Sequence, residues 1–199
     1  MAVAPVRYPE LIDLPDRFDG ERVLLRPYRA GDGRAFFEAV DRHRDDLGEW
    51  VGWVDQYQTL EDAEAYVRRM HSKWIARTAL IVGIWSKDGS AYYGGTGFHG
   101  FDWKVPSFEL GYFLTRDARG QGFGADAVRT VVDMAFRHLG ARRIWATCDA
   151  QNARSIRLLE KTGFAREATM RDECVDHRGS LRDTYLYALT AKPASGARG

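Results

Sequence analysis

The stretch Asp117-Ala118-Arg119-Gly120-Gln121-Gly122-Phe123-Gly124-Ala125 constrains this chain more than any other. It stands between two segments of different periodicity. Residues 108–114 are apolar or aromatic at nearly every position and read as a buried strand. Downstream, Val128, Val131, Val132, Ala135, Phe136 and Leu139 recur at helical spacing. The glycines therefore fall where a strand turns into a helix. The first N–H groups of a helix lack intrahelical partners, and with the helix dipole they favour an anion. Gly120, Gly122 and Gly124 leave out the Cβ atoms that would hold a ligand off the backbone. Arg116 and Arg119 add positive charge at the same end.

The spacing separates this loop from other phosphate loops. A Walker loop ends in Gly-Lys-Ser/Thr, which does not follow here. A dinucleotide fingerprint spaces its glycines G-x-G-x-x-G near the start of a βαβ unit, with an acidic residue about 20 positions on. Here the glycines alternate, and they come late in the chain.

Arg119-Gly120-Gln121-Gly122-Phe123-Gly124 matches the pattern [Q/R]-x-x-G-x-[G/A], and a second segment agrees with it. Asn152-Ala153-Arg154-Ser155-Ile156-Arg157-Leu158-Leu159-Glu160-Lys161-Thr162-Gly163-Phe164 is similar to N-x-x-S-x-x-x-x-E-K-x-G-F. Both patterns, in this order and at this separation, resemble the GNAT superfamily of N-acetyltransferases from about Arg22 to Leu189. Within it the chain looks most like the branch that acetylates ribosomal-protein N-termini. The resemblance implies an α+β GNAT fold: one mixed, mostly antiparallel, twisted sheet flanked by helices, with acyl-CoA in a cleft between splayed central strands.

Composition agrees with a single domain. The 199 residues are 45% hydrophobic and 29% charged, with a net charge of +1, so bulk attraction to nucleic acid or lipid is not indicated. No apolar run approaches a membrane span and no signal pattern opens the chain, which makes a cytoplasmic location the default expectation. Cys148 and Cys174 lack metal-ligand spacing and read as free thiols, with a bridge left open. No metal is expected.

The expected organisation is an arm over residues 1–20, an acetyltransferase domain over 21–190 and a disordered tail over 191–199. Strands are expected at 23–28, 79–85, 92–98, 108–114, 142–148, 164–170 and 183–189. Asp32 is placed as N-cap of a helix carrying Phe36, Phe37 and Val40. Thr59 and Asp62 form a capping box for a helix carrying Ala63, Tyr66, Val67, Met70 and Trp74. Gly163 ends the helix that starts near Ala153. The alternating charges from Asp41 to Asp46 read as a solvated surface. Trp50, Trp53 and Tyr57 either cap the core or wall an acceptor cleft.

Site roles follow from the resemblance. The loop Arg119, Gly120, Gln121, Gly122, Phe123, Gly124 and Ala125, with Arg116, would hold the CoA diphosphate. Backbone groups of Phe113, Leu114 and Thr115 would pair with pantetheine as an added strand. Asn152 would lie beside pantetheine or cap its own helix, and Lys161 would reach the adenosine 3′-phosphate. Glu109, the one charged residue in an apolar strand, is either the general base or a structural carboxylate. Ser155 is the candidate acid for the leaving thiolate, or merely a CoA contact. A tyrosine that many relatives carry four residues later is here Leu159. His99, His138 and His177 are scattered and read as structural or exposed.

The leading expectation is an acetyl-CoA-dependent N-acetyltransferase acting by direct transfer on a protein or peptide N-terminus. A small-molecule amine (a polyamine, an amino acid or an aminoglycoside-like compound) is the alternative acceptor, and other acyl groups stay open. A CoA-binding sensor without turnover is the non-enzymatic alternative. A homodimer is compatible with the branch.

Overall fold

Val23–Pro27 (β2) is the first long strand of an eight-stranded mixed sheet in the computed structural model, which describes residues 5–191. Of the tail expected over 191–199, Ala191 donates its N–H to the Arg142 carbonyl at 3.0 Å and residues 192–199 lie outside the described residues. Along the chain follow α1 (Gly33–Arg42), α2 (Arg44–Gly48), α3 (Leu60–Ile75), β3 (Leu80–Ser86), β4 (Tyr92–Asp102) and β5 (Ser107–Leu114). Then come α4 (Phe123–His138), β6 (Arg143–Asp149), α5 (Ala153–Lys161), β7 (Ala165–Val175) and β8 (Leu181–Thr190). A two-residue strand, β1 (Phe18–Asp19), pairs with β2 at Phe18↔Leu25. The sheet thus begins inside the segment expected to be an arm, and Ile12, Leu14 and Phe18 pack on the core.

The strand order is β1-β2-β3-β4-β5-β6-β8-β7. Every neighbouring pair is antiparallel except β5 with β6. Alternation along the strands divides two cores between the sheet faces. Val82, Ile84 and Leu110 join Val128, Val131 and Ala135 of α4 in one core. Ile81 and Phe113 join Phe36 of α1 and Val67 of α3 in the other.

Glycine in β4 serves close approach. A Cβ on Gly94, at φ +151°, would fall 2.1 Å from the Phe113 carbonyl oxygen, so a larger residue would force the strands apart.

The capping box at Thr59 forms as expected, with Thr59 Oγ1 accepting from the Asp62 N–H and Asp62 accepting from the Thr59 N–H. Asp32 differs. It occupies the N-cap position of α1, but its carboxylate accepts two bonds from the Arg26 guanidinium, at 2.6 and 2.9 Å, and one from the Arg29 N–H. The charged two-pronged donor outcompetes a neutral cap bond. Glu64 of α3 instead accepts from the Gly31 and Gly33 N–H groups.

One buried carboxylate fixes where α4 begins. Asp126, 4% exposed, accepts backbone N–H bonds from Glu21 at 3.1 Å, Arg22 at 2.8 Å and Val23 at 3.1 Å. It ties the β1–β2 turn to the first turn of α4. Removing it would leave three backbone donors unpaired in a part-buried setting, at about 1–3 kcal/mol each before relaxation. Asp126→Ala is expected to lower stability by about 3 kcal/mol, and Asp126→Asn by less because one acceptor oxygen remains. Urea unfolding midpoints would show this, and an unchanged midpoint for the alanine variant would refute the anchor.

Candidate active site

The site exists because β5 and β6 stop pairing. Their parallel ladder runs through Ser107↔Arg143, Phe108↔Ile144 and Glu109↔Trp145 and goes no further. Beyond it β5 stays with β4 as far as Leu114↔Gly94, and β6 stays with β8 as far as Asp149↔Thr184. The two strands therefore splay, and a cleft of about 820 Å³ opens between them. Backbone groups alternate in direction along β5. Thr115 N–H donates to the Tyr93 carbonyl at 2.9 Å, and the Phe113 carbonyl faces Gly94. Phe113 and Thr115 are thus engaged with β4, and Tyr112 and Leu114 are the residues whose backbone groups point into the splay. Of the three residues expected to meet pantetheine through the backbone, only Leu114 is so directed.

The far end of the cleft is the glycine loop. Gly120 and Gly122 have φ of +76° and +83°, in the left-handed region. Gly122 is the N-cap of α4 and accepts the first helical bond from Asp126 N–H at 3.1 Å, with no side chain capping the helix. The N–H groups of Phe123, Gly124 and Ala125 precede that bond and have no acceptor among the described residues. A Cβ on Gly124 would lie 2.7 Å from Leu114 Cδ1 and 3.5 Å from Leu158 Cδ2. A larger residue there would have to push these leucine tips aside and would fill the floor of the cleft. Phe123 stacks on Tyr93 at 4.6 Å and holds the loop against the sheet. These features fit a diphosphate donor with no side chain in the way.

The expected diphosphate arginine is used differently. Arg119 Nε and Nη2 donate to the Leu114 carbonyl at 3.2 and 2.9 Å, and Nη1 donates to Asp46 Oδ1 at 2.8 Å. Arg119 staples the loop to the end of β5 and to α2. Burial works to raise the Asp46 carboxyl, but the bond from Arg119 and the charges of Arg154 and Arg116 outweigh it and hold it below the usual carboxylate range. The segment expected to be a solvated charge run is therefore partly interior. His43 is buried, and the Arg44 guanidinium donates to the Val54 and Tyr57 carbonyls. Periodicity missed this because α2 is too short to show a face. Arg116 and Gln121 are exposed, and Gln121 donates to the Asp117 carbonyl.

Glu109 sits in the last β5–β6 pair, at the root of the splay. It is also the cross-strand partner of His99 on β4, and its Oε2 lies 3.1 Å from His99 Nδ1. A Cβ on Gly111 would fall 3.0 Å from His99 Nε2, so the glycine makes room for the imidazole. His99 thus joins the site, contrary to its reading as a scattered histidine. Counting from the turn would not have found the pair, because the register shifts between His99 and Asp102 and puts His99 three residues before, and Glu109 two after, the Asp102↔Ser107 pair. On the opposite face of β5, Tyr112 places its hydroxyl 2.6 Å from Ser155 Oγ of α5. Burial raises the Tyr112 phenol well above the ordinary tyrosine range. Cys148 lines the cleft next to Ser155. Burial pushes its thiol up, and the Ser155 hydroxyl partly offsets that. Both cysteines are free thiols.

Asn152 caps α5, its Oδ1 accepting from the Ser155 N–H at 3.0 Å, and also lines the cleft with Lys161. Trp50 and Trp53 line the opposite wall, Trp53 packing 5.0 Å from Phe113. Tyr57 does not join them. It is 6% exposed, packs between Phe36 and Tyr66 at 5.1 and 5.0 Å, and belongs to the core behind Trp53. Of the two openings left for the aromatics, Tyr57 takes the core and the tryptophans take the wall. Among the described residues there is no cluster able to hold a metal ion and no helix long and apolar enough to cross a membrane.

Residues 22–165 match the acetyltransferase (GNAT) domain family. The uncharacterized N-acetyltransferase YoaA of Bacillus subtilis is 27% identical over 169 residues, which cover 85% of this chain and 93% of YoaA. RimL, described as ribosomal L7/L12 alpha-N-protein acetyltransferase in complex with coenzyme A, superposes with a TM-score of 0.82 at 18% identity, covering 87% of this chain and 97% of its own. Mycobacterium smegmatis RimJ in complex with CoA-disulfide superposes with a TM-score of 0.81 at 22% identity, covering 92% and 91%. Those two likenesses are of fold, whereas the family match spans most of the sequence. With the glycine cradle ahead of α4 and the splay beside it, this chain belongs to the GNAT family of acetyltransferases, enzymes that take their acetyl group from acetyl-CoA.

Proposed function

We propose that the acceptor is the α-amine at the start of a protein or peptide chain, and that Glu109 and His99 together remove its proton. The carrying observation is that this pair sits at the root of the splay, on the sheet face that also presents Trp50 and Trp53, while the glycine cradle lies at the far end. An amine entering past the tryptophans would meet the pair before anything else titratable. The likeness in fold to RimL, a ribosomal L7/L12 alpha-N-protein acetyltransferase, favours a protein acceptor by analogy.

The charge on the cleft wall favours a peptide over a polyamine. A polycation would need several unpaired carboxylates. Asp46 is bonded to Arg119, and Asp149 accepts from Arg182 at 3.2 Å. Glu109 is the remaining acid on the wall, and it faces His99.

Each residue has a physical task. An ammonium cannot attack a carbonyl, so the amine must lose its proton at the site, directly or through one water. Glu109 holds the His99 ring by Nδ1 and leaves Nε2 toward Gly111 and the cleft. Acetyl-CoA supplies a thioester carbonyl and a thiolate leaving group. The Phe123, Gly124 and Ala125 N–H groups would take its diphosphate, with Asn152 and Lys161 along the wall. Inward-pointing backbone groups of Tyr112 and the N–H of Leu114, whose carbonyl Arg119 already engages, would align the thioester arm.

Three outcomes test this. Glu109→Gln and His99→Gln are each expected to lower kcat/KM by about 10²-fold or more, with CoA affinity within about two-fold of the parent because neither residue touches the cradle. Full activity in both variants would refute the base assignment. Gly124→Val should weaken CoA binding roughly ten- to hundred-fold by filling the floor of the cradle, as read by calorimetric titration. Unchanged binding would remove the cradle from the site. In a mass-spectrometric acceptor screen with acetyl-CoA, peptides with free N-termini should be acetylated and N-terminally blocked ones should not. Exclusive acetylation of polyamines, amino acids or aminoglycosides would overturn the peptide reading.

A further inference from the structure

We propose that Tyr112 is a positioning residue that aims the Ser155 hydroxyl proton at the sulfur leaving the acyl donor. This rests on the acyl-CoA reading of the cleft and adds to it a residue that the loop and helix motifs do not contain. The tyrosine expected by resemblance on α5 is replaced by Leu159, which is fully buried in the core and has no proton to give. A phenol nonetheless reaches Ser155 from another element. Tyr112 extends from β5 across the gap, and its oxygen lies 2.6 Å from Ser155 Oγ. Both residues line the cleft, on the sheet face opposite Glu109 and His99.

A serine hydroxyl has one proton and a free rotor, so alone it has no fixed direction in which to donate. Either hydroxyl can donate across this contact, and the greater acidity of the phenol favours Tyr112 as the donor. A second acceptor for its proton, the Ser155 carbonyl, is 3.5 Å away and poorly placed. With Tyr112 donating into Ser155 Oγ, the Ser155 proton must point elsewhere. The cleft that both residues line is the side left open to it. Ser155 would thereby be free to donate to the sulfur of an arriving acyl donor. When the carbon–sulfur bond breaks, its electron pair stays on sulfur. Ser155 hydrogen-bonds that thiolate, and Tyr112 keeps its own proton and supplies direction only. The amine proton leaves on the other face, through the Glu109–His99 pair, so the two proton sites do not compete.

The test uses the whole chain with CoA bound, and titrates the CoA thiol by its thiolate ultraviolet absorbance. Tyr112→Phe keeps the ring and removes the hydroxyl. It is expected to raise the bound thiol's pKa by about one unit, a ten-fold loss of thiolate at a given pH, while CoA affinity stays within about two-fold. The kcat should fall about ten-fold with the KM for acetyl-CoA little changed. Ser155→Ala should do at least as much, and the double variant should be no worse than Ser155→Ala alone. A merely structural role predicts a lower Tm, a raised KM, additive losses and an unmoved thiol. An unmoved thiol in a folded, CoA-bound Tyr112→Phe variant overturns the proposal. Should that variant not fold, Ser155→Ala decides by the same titration, and an unmoved thiol there overturns it equally. Failure of the parent chain to bind CoA would overturn both this and the donor reading, whereas CoA binding with no peptide acetylation would overturn the acceptor reading alone.

Discussion

The place where two parallel strands cease to pair is the constraint on which this structure depends. Parallel strands in a sheet covered on both faces normally pair along their length, because unpaired backbone groups away from water are costly. Here pairing between β5 and β6 ends at Glu109↔Trp145, and each strand keeps its full ladder on the other side. The cost is thus confined to one edge of each strand, and that edge faces an open cleft where water or a ligand can satisfy it. A donor that adds itself as a strand gains the hydrogen bonds the sheet has left unmade.

In the mechanism we propose, the splay would also separate the two proton tasks. Side chains alternate across β5, so Glu109 and Tyr112, three residues apart, stand on opposite faces. Glu109 meets His99 on the face that carries α1 and α2, and Tyr112 meets Ser155 on the face that carries α4 and α5. An extended molecule in the gap would have one pair on each side of it. Two buried anchors hold this geometry. Asp126 pins α4, and with it the N–H cradle, to the β1–β2 turn. Arg119 pins the loop to the end of β5 and to Asp46, one turn before Trp50. The glycine loop and the tryptophan wall are mechanically joined through that ion pair, at partial burial where Coulombic attraction is less screened than at a surface.

Much of the fold was legible in the chain itself, because its signals are local. The capping box at Thr59, the glycine closing α5 at Gly163 and the apolar periods of α3 and α4 each depend on residues within a few positions of one another. The short strand β1 and the helix α2 were not legible, since two and five residues are too few to establish a period. The same limit misplaced Asp46 and His43 on a solvated surface, and the cap at Asp32 was lost to Arg26 through a contact that only the fold creates.

The sequence by itself determined the glycine cradle, the strand before it, the helix after it and the candidates Glu109, Ser155 and Asn152. These are backbone and spacing properties, and no distant residue needs to be known for them. The tertiary structure alone decided which side chains meet. It bonded the Arg119 guanidinium to Asp46 and the Leu114 carbonyl, sent Tyr57 into the core, and brought His99 to Glu109 and Tyr112 to Ser155 across separations of 10 and 43 residues. Such pairs follow from strand register and from where two ladders part. Register is set by the whole sheet, so composition, periodicity and spacing along one segment carry no record of it.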